Sequence, residues 1–181
     1  MSPSGLEIER KFRLRAAPGA ATLAAHGAAA RRIEQVYLAP EPSPSAGTGG
    51  PEAVRVRRIE FPDGSVAYRR TVKRRVGAFS FDEVEDPVTE ADWTAALACA
   101  DPDRRPIRKT RYVVGHGVQT LEIDVFDGPA ALVVVEVELA SEDETVALPA
   151  WLGEWREVTR DPRYLNISLA RRDAEVPPFD G

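Results

Sequence analysis

The stretch EIERKF, Glu7 to Phe12, decides how the chain is read. In a β-strand successive side chains point to opposite faces. Glu7, Glu9 and Lys11 then share one face, and Ile8 and Phe12 lie on the other with Arg10. Taken alone, this describes the wet face of an antiparallel sheet. The same phase recurs in every later strand-like segment. Arg55 pairs with Arg57 on one face, Arg69 with Thr71 and Lys73, Glu83 with Glu85, Lys109 with Arg111, Glu122 with Asp124, and Glu136 with Glu138. The residues between them are mostly Val, Ile and Leu.

Three features turn these faces inward. The charges are sorted by sign at i and i+2, whereas solvated faces intersperse signs and use Thr, Ser and Gln. Like charges two residues apart repel, so the acids call for a cation and the bases for an anion. The segment ALVVVEVEL, 131–139, is so apolar that both its faces read as enclosed. Charges buried there must be paired or ligated, because bare burial is very costly. A barrel lumen lined by carboxylates on some strands and by Lys and Arg on others satisfies all three. Carboxylates suit hard divalent cations, and fixed Lys and Arg suit a polyphosphate. A metal-bound triphosphate joins the two needs, and its hydrolysis is phosphoryl transfer to water.

The rest of the chain is compatible. Its 181 residues suit one domain with a sizeable core. A net charge of −5 argues against a general nucleic-acid binder. The single cysteine, Cys99, rules out an intramolecular disulfide. The sequence holds no apolar run of membrane-spanning length and no signal-peptide core near its start. A soluble, cytoplasmic protein without membrane or nucleic-acid partners is expected, as a monomer or homodimer.

Strands are expected at 6–14, 33–40, 53–61, 65–75, 78–86, 107–115, 118–128 and 131–139. Helices are expected over the Ala-rich 16–32, over 89–100 behind Thr89, over 141–151 behind a Ser141–Glu144 capping box, and over 161–172 behind Asp161 and Pro162. Residues 41–52, rich in Pro, Gly and Ser, read as a loop. One domain over 1–172 is expected, with 173–181 as a frayed tail. The fold class is α+β, mainly β: an eight-stranded antiparallel closed barrel with helices packed outside.

EIERK resembles the E-x-E-x-K signature of the CYTH, or triphosphate tunnel metalloenzyme, superfamily. In the same order as in that family follow QVYL (35–38), RVR (55–57), TVK (71–73), DEVE (82–85), KTRY (109–112), LEIDVF (121–126), VEVEL (135–139), WLGE (151–154) and DPRYLN (161–166). The resemblance covers nearly the whole chain. It implies the triphosphate tunnel fold, with Lys11, Arg55, Arg57, Lys73, Lys109 and Arg111 on the triphosphate. It implies that Glu7, Glu9, Glu136 and Glu138, with Asp124 and Glu122 nearby, serve Mg²⁺ or Mn²⁺. Glu83 and Glu85 match an acidic pair suited to metal or water, Tyr37 a proposed proton acceptor, and Lys73 completes the reacting set. The small bacterial members, which QVYL most resembles, hydrolyse inorganic tripolyphosphate and sometimes nucleoside or thiamine triphosphate. The superfamily also contains adenylate cyclases, and a non-catalytic polyphosphate-binding module would use the same lumen.

The chain departs from the family pattern in three places. Phe81 stands where relatives carry a base two residues before the acidic pair, the 41–52 loop is long, and GEWREVT carries about two extra residues. His26 and His116 lack metal-ligand spacing, and Cys99 and the three tryptophans read as packing residues. Tyr164 and Asn166 match the family but could equally hold a C-terminal helix on the barrel.

Overall fold

The computed structural model describes residues 5–40, 53–128 and 132–180. The loop expected at 41–52 lies outside the described residues. Among the described residues nine strands form one antiparallel sheet: β1 (Gly5–Leu14), β2 (Ala29–Tyr37), β3 (Ala53–Glu60), β4 (Val66–Arg75), β5 (Ser80–Val88), β6 (Ile107–His116), β7 (Gln119–Phe126), β8 (Val133–Leu139) and β9 (Trp155–Glu157). Their order is β5-β4-β3-β2-β6-β7-β8-β1-β9, and β5 also pairs with β1. That last pairing, Gly5 to Ile8 against Glu83 to Ser80, closes β1–β8 into an eight-stranded barrel. Closure removes the sheet edges. The short β9 joins β1 beyond the seam, at Phe12–Leu14.

The strands form where alternation and turn chemistry agree. Pro62-Asp63-Gly64 returns β3 into β4, with Gly64 at φ 82° and the Asp63 carboxylate accepting from Ser65 N–H at 2.9 Å. Gly117, at φ 61°, turns β6 into β7. The outward apolar phase makes two cores. Ile8, Phe12 and Leu14 of β1 pack with Leu121, Ile123, Val133, Val135 and Val137. Leu23 of α1 (Ala20–Ala25) and Leu152 cover them. Val36 and Val56 pack under Trp93 of α2 (Glu90–Leu97). Thr89 caps α2 with the expected reciprocal box, its hydroxyl accepting from Asp92 N–H at 3.1 Å.

A third apolar cluster sits on the inward phase at one end of the barrel. Tyr37, Ile107 and Val134 meet Val158, Tyr164 and Leu169 there. The chain from Val158 to Ala170 thus plugs that end, while α1 and α2 lie outside. The Tyr164 hydroxyl, in a residue 1% exposed, accepts from Arg13 at 2.9 Å and from Arg156 at 2.8 Å.

Several expected elements differ. The helix over 16–32 is only α1, and residues 29–32 belong to β2. Gly27, at φ 66°, ends α1 with paired bonds from Ala28 N–H to the Leu23 carbonyl and Gly27 N–H to Ala24, both 3.0 Å. That is a Schellman stop, which outweighs alanine propensity. No helix forms over 141–149. Glu144 instead accepts from Ala140 N–H at 2.8 Å and Gln119 at 2.7 Å, and the extended chain sets Val146 and Leu148 on the core. Pro149 then bars helix at its predecessor, and a 3-10 turn follows at Ala150–Leu152. The helix over 161–172 divides into a 3-10 turn, Pro162–Tyr164, and α3 (Asn166–Leu169), because Leu165 is extended at ψ 136°. The tail returns to the end of β1. Asp180 receives the Arg15 guanidinium at 2.9 Å, and the Phe179 ring lies 4.5 Å from its centre.

Candidate functional site

The charged phase points into the barrel. A cavity of about 330 Å³ is lined by Glu7, Glu9, Arg55, Arg57, Lys73, Glu83, Glu85, Lys109, Arg111, Glu122, Glu136 and Glu138, with Arg31, Ile33, Ile59 and Asn166. Its size falls in the small-ligand range. Every inward charge expected on β1, β3, β5, β6, β7 and β8 faces it except Lys11 and Asp124. Lys11 lies at its edge and lines two adjoining compartments. Asp124 is fully buried behind the bases, where Lys109 donates to it and Arg111 approaches at 2.7 Å on both oxygens. Thr71 of β4 faces Glu85, its hydroxyl donating at 3.1 Å.

Most of the interior charges pair with one another. Lys11 donates to Glu136 and lies 3.0 Å from Glu9. Arg111 reaches Glu122 and, at 2.6 Å, Glu136. Lys73 donates to Glu7 and lies 3.4 Å from Glu83 and 3.5 Å from Glu9. Arg57 donates to Glu85. Register explains this: Lys11 stands opposite Glu136, Lys73 opposite Glu83, and Arg111 opposite Asp124. Facing residues on antiparallel strands share a side.

Burial sets the proton affinities. It pushes the Glu7 carboxyl up to about 7, and the nearby Glu9 and Glu83 carboxylates add to it beyond what Lys73 offsets. Burial opposes charge on Glu136 too, but Lys11, Lys109 and Arg111 outweigh it and hold that carboxyl well below the usual range. Burial, with Arg111 beside it, draws Lys109 down to about 8 despite Asp124. Burial raises the Tyr37 hydroxyl, which sits against Arg55 in a narrower compartment next to the main cavity.

Phe81 also faces inward, 5% exposed, with Lys73 Nζ 4.3 Å and the Arg75 guanidinium 4.9 Å from its ring centre. An aromatic face there holds cations by its quadrupole. Arg31, Ile33 and Ile59 were not anticipated. Arg31 falls in the segment read as helix, yet it stands opposite Arg111 in β2, and alternation with Gln35 and Tyr37 was the available signal. Asn166 proves to line the cavity, whereas Tyr164 holds the plug. Arg10, out of phase, pairs outside with Glu157 at 2.6 Å.

A metal can be tested against the donor set. Among the described residues no three His, Cys, Asp or Glu side chains form a ready-made metal cluster. Four carboxylates do line adjacent strands, Glu7 and Glu9 on β1 and Glu136 and Glu138 on β8, with Glu9 opposite Glu138. These are hard oxygen donors, and acids crowded enough to raise Glu7 fit a small divalent cation.

A closed antiparallel barrel whose lumen is a cavity of interlocked acids and bases defines a class of protein made to hold a charged small ligand. The chain belongs to the CYTH domain family, whose pattern matches residues 5–173. An inorganic triphosphatase of Acetivibrio thermocellus is 41% identical over 90 residues, 49% of this chain and 54% of that protein. One of Nitrosomonas europaea is 41% identical over 95 residues, covering 57% of its length. The matched stretch thus spans about half the length of these curated relatives. The crystal structure of an inorganic triphosphatase superposes with TM-score 0.56 at 29% identity, covering 94% of this chain and 96% of that one. A protein of Pyrococcus horikoshii shares the fold, at TM-score 0.50 and 19% identity over 76% of this chain. Among the described residues no helix is long and apolar enough to cross a membrane.

Proposed function

We propose that the chain hydrolyses a small triphosphate, inorganic tripolyphosphate foremost, with Mg²⁺ or Mn²⁺. The observation that carries this is the self-neutralised interior. Burying so many charges costs several kcal/mol per ion unless each is matched, and a fold gains nothing from such a chamber that apolar residues would not supply. Two proteins at 41% identity, each an inorganic triphosphatase, support the same reading.

In this reading the bases change partners. Lys11, Arg55, Arg57, Lys73, Lys109 and Arg111 turn from carboxylates to phosphoryl oxygens, and Arg31 joins them. Glu7, Glu9 and Glu136, released from Lys11, Lys73 and Arg111, would hold the metal together with Glu138, with Asp124 keeping Lys109 and Arg111 in place from behind. The metal's contribution is charge neutralisation on phosphoryl oxygens and a lowered pKa for water. Glu83 and Glu85, on the adjoining strand β5 beside Lys73 and Arg57, would accept a proton from the attacking water. Tyr37, kept protonated by burial, suits orienting Arg55 rather than taking that proton. Phe81 does not vacate the position of the usual base, because its ring secures Lys73.

The test is phosphate release from tripolyphosphate, ATP and thiamine triphosphate with Mg²⁺ or Mn²⁺, with chromatography to separate hydrolysis from cyclisation. Glu9→Gln and Lys11→Ala are expected to abolish turnover with circular dichroism unchanged. No release from any of the three refutes the reading.

A further inference from the structure

The seam that closes the barrel is incomplete. β5 covers one edge of β1 only from Gly5 to Ile8, and β9 resumes on that edge at Phe12. Between them the edge at Glu9–Lys11 faces no strand. Glu9 N–H reaches the Phe79 carbonyl at 3.4 Å, the Thr159 hydroxyl accepts from Lys11 N–H at 3.0 Å, and the Lys11 carbonyl accepts from Val158 N–H at 2.8 Å. The wall therefore opens sideways at Glu9, which lines the main chamber, and Lys11, at the chamber's edge.

A cavity of about 190 Å³ fills this gap, with Glu9 and Lys11 within and Arg75, Phe79, Thr159 and Arg160 outside. Inward it adjoins a neck of about 40 Å³ across Glu9, Lys11, Phe81 and Leu165, and the neck adjoins the main chamber across Arg55 and Lys73. Outward, Phe79, Thr159 and Arg160 also line a surface groove of about 440 Å³. The barrel end nearest this gap is plugged by Tyr164 and its apolar neighbours. The gap is therefore a side opening of its own, and its neck suits a compact ion better than a ring system.

We propose that this opening is an orthophosphate site through which the released phosphate leaves. Arg160 is its principal holder: exposed, it lies over the Phe79 ring at 5.9 Å, at the boundary between cavity and groove. The Thr159 hydroxyl, which accepts from Lys11 N–H and donates to Glu157 at 2.7 Å, borders the cavity. A guanidinium matches a tetrahedral oxyanion. Hydrolysis of tripolyphosphate supplies one: water's oxygen bonds the terminal phosphorus, the bridging P–O bond breaks, and pyrophosphate and orthophosphate result. The exit role rests on the proposed hydrolysis; the binding site does not.

Two measurements on the full chain decide it. Calorimetric titration with sodium phosphate is expected to weaken about ten-fold or more in Arg160→Ala, the loss expected of one charged hydrogen bond, and to recover largely in Arg160→Lys. Phosphate is expected to inhibit tripolyphosphate hydrolysis with a noncompetitive component that Arg160→Ala removes while kcat/KM is unchanged. Ala78→Trp, which fills the opening from its exposed rim, is expected to lower kcat. Purely competitive inhibition, or phosphate binding unaltered in both Arg160→Ala and Ala78→Trp, overturns the site. Absence of hydrolysis refutes the proposed function instead, and the titration still decides the site.

Discussion

Glu7→Gln converts the crowding of the lumen into a stability measurement. The folded chain holds the Glu7 carboxyl at about 7 against an ordinary 4.5, through burial first and then Glu9 and Glu83. A carboxyl raised on folding binds more protons in the native state between those values, so its contribution to stability is full below about 4.5 and is lost as pH climbs through 7. The shift of 2.5, at 1.36 kcal/mol per pKa unit, corresponds to about 3 kcal/mol. The side chain is 24% exposed, so little of this is screened away. Glutamine mimics the protonated acid and does not titrate. The variant's stability minus that of the wild type should therefore rise by about 3 kcal/mol between pH 4.5 and 8, whatever constant offset the lost Lys73 contact adds. For a chain of this size that is roughly 6–12 °C in Tm. The assay is a series of urea and thermal unfolding curves in chelator. Parallel wild-type and variant curves across this window refute the crowding.

Other perturbations separate the roles of neighbouring charges. Asp124→Asn leaves Lys109 and Arg111 buried without their shared carboxylate; a loss of about 3–5 kcal/mol is expected in urea unfolding, with weaker tripolyphosphate binding. Tyr164→Phe removes the acceptor of Arg13 and Arg156 at the plug and is expected to lower stability by about 1–3 kcal/mol. Arg10→Ala breaks only an outside pair whose side chains are 25% and 39% exposed, so a change within about 1 kcal/mol and unaltered phosphate release are expected.

The barrel was legible because its evidence is periodic. Val54 and Val56 against Arg55 and Arg57 can satisfy only one strand orientation, and each hairpin repeats the test. Elements governed by a single stop or by distant packing were not. Alanine propensity over 16–32 says nothing about where Gly27 stops the helix, and the misplaced boundary hid Arg31. The Ser141–Glu144 spacing is a true capping signature, but burial of Val146 and Leu148 by an extended chain overrides it. The plug was invisible for another reason. Leu132 and Val134 continue the inward phase of Glu136 and Glu138, and only the return of Tyr164 and Leu169 shows that this half of the lumen is filled by apolar side chains.

That division of the lumen bears on how ligands enter it. In the charged half most acids and bases hold each other, so a ligand must displace an existing pair. An anion that draws Lys11 away leaves Glu136 to Arg111 and Glu9 to Lys73, and a cation that draws Glu7 and Glu9 away leaves Lys73 to Glu83. Either ligand alone thins the pairing of a buried charge, which is costly in low dielectric. Both together restore it. Metal and triphosphate are thereby coupled through the protein as well as through their direct contact, and the coupling is reciprocal.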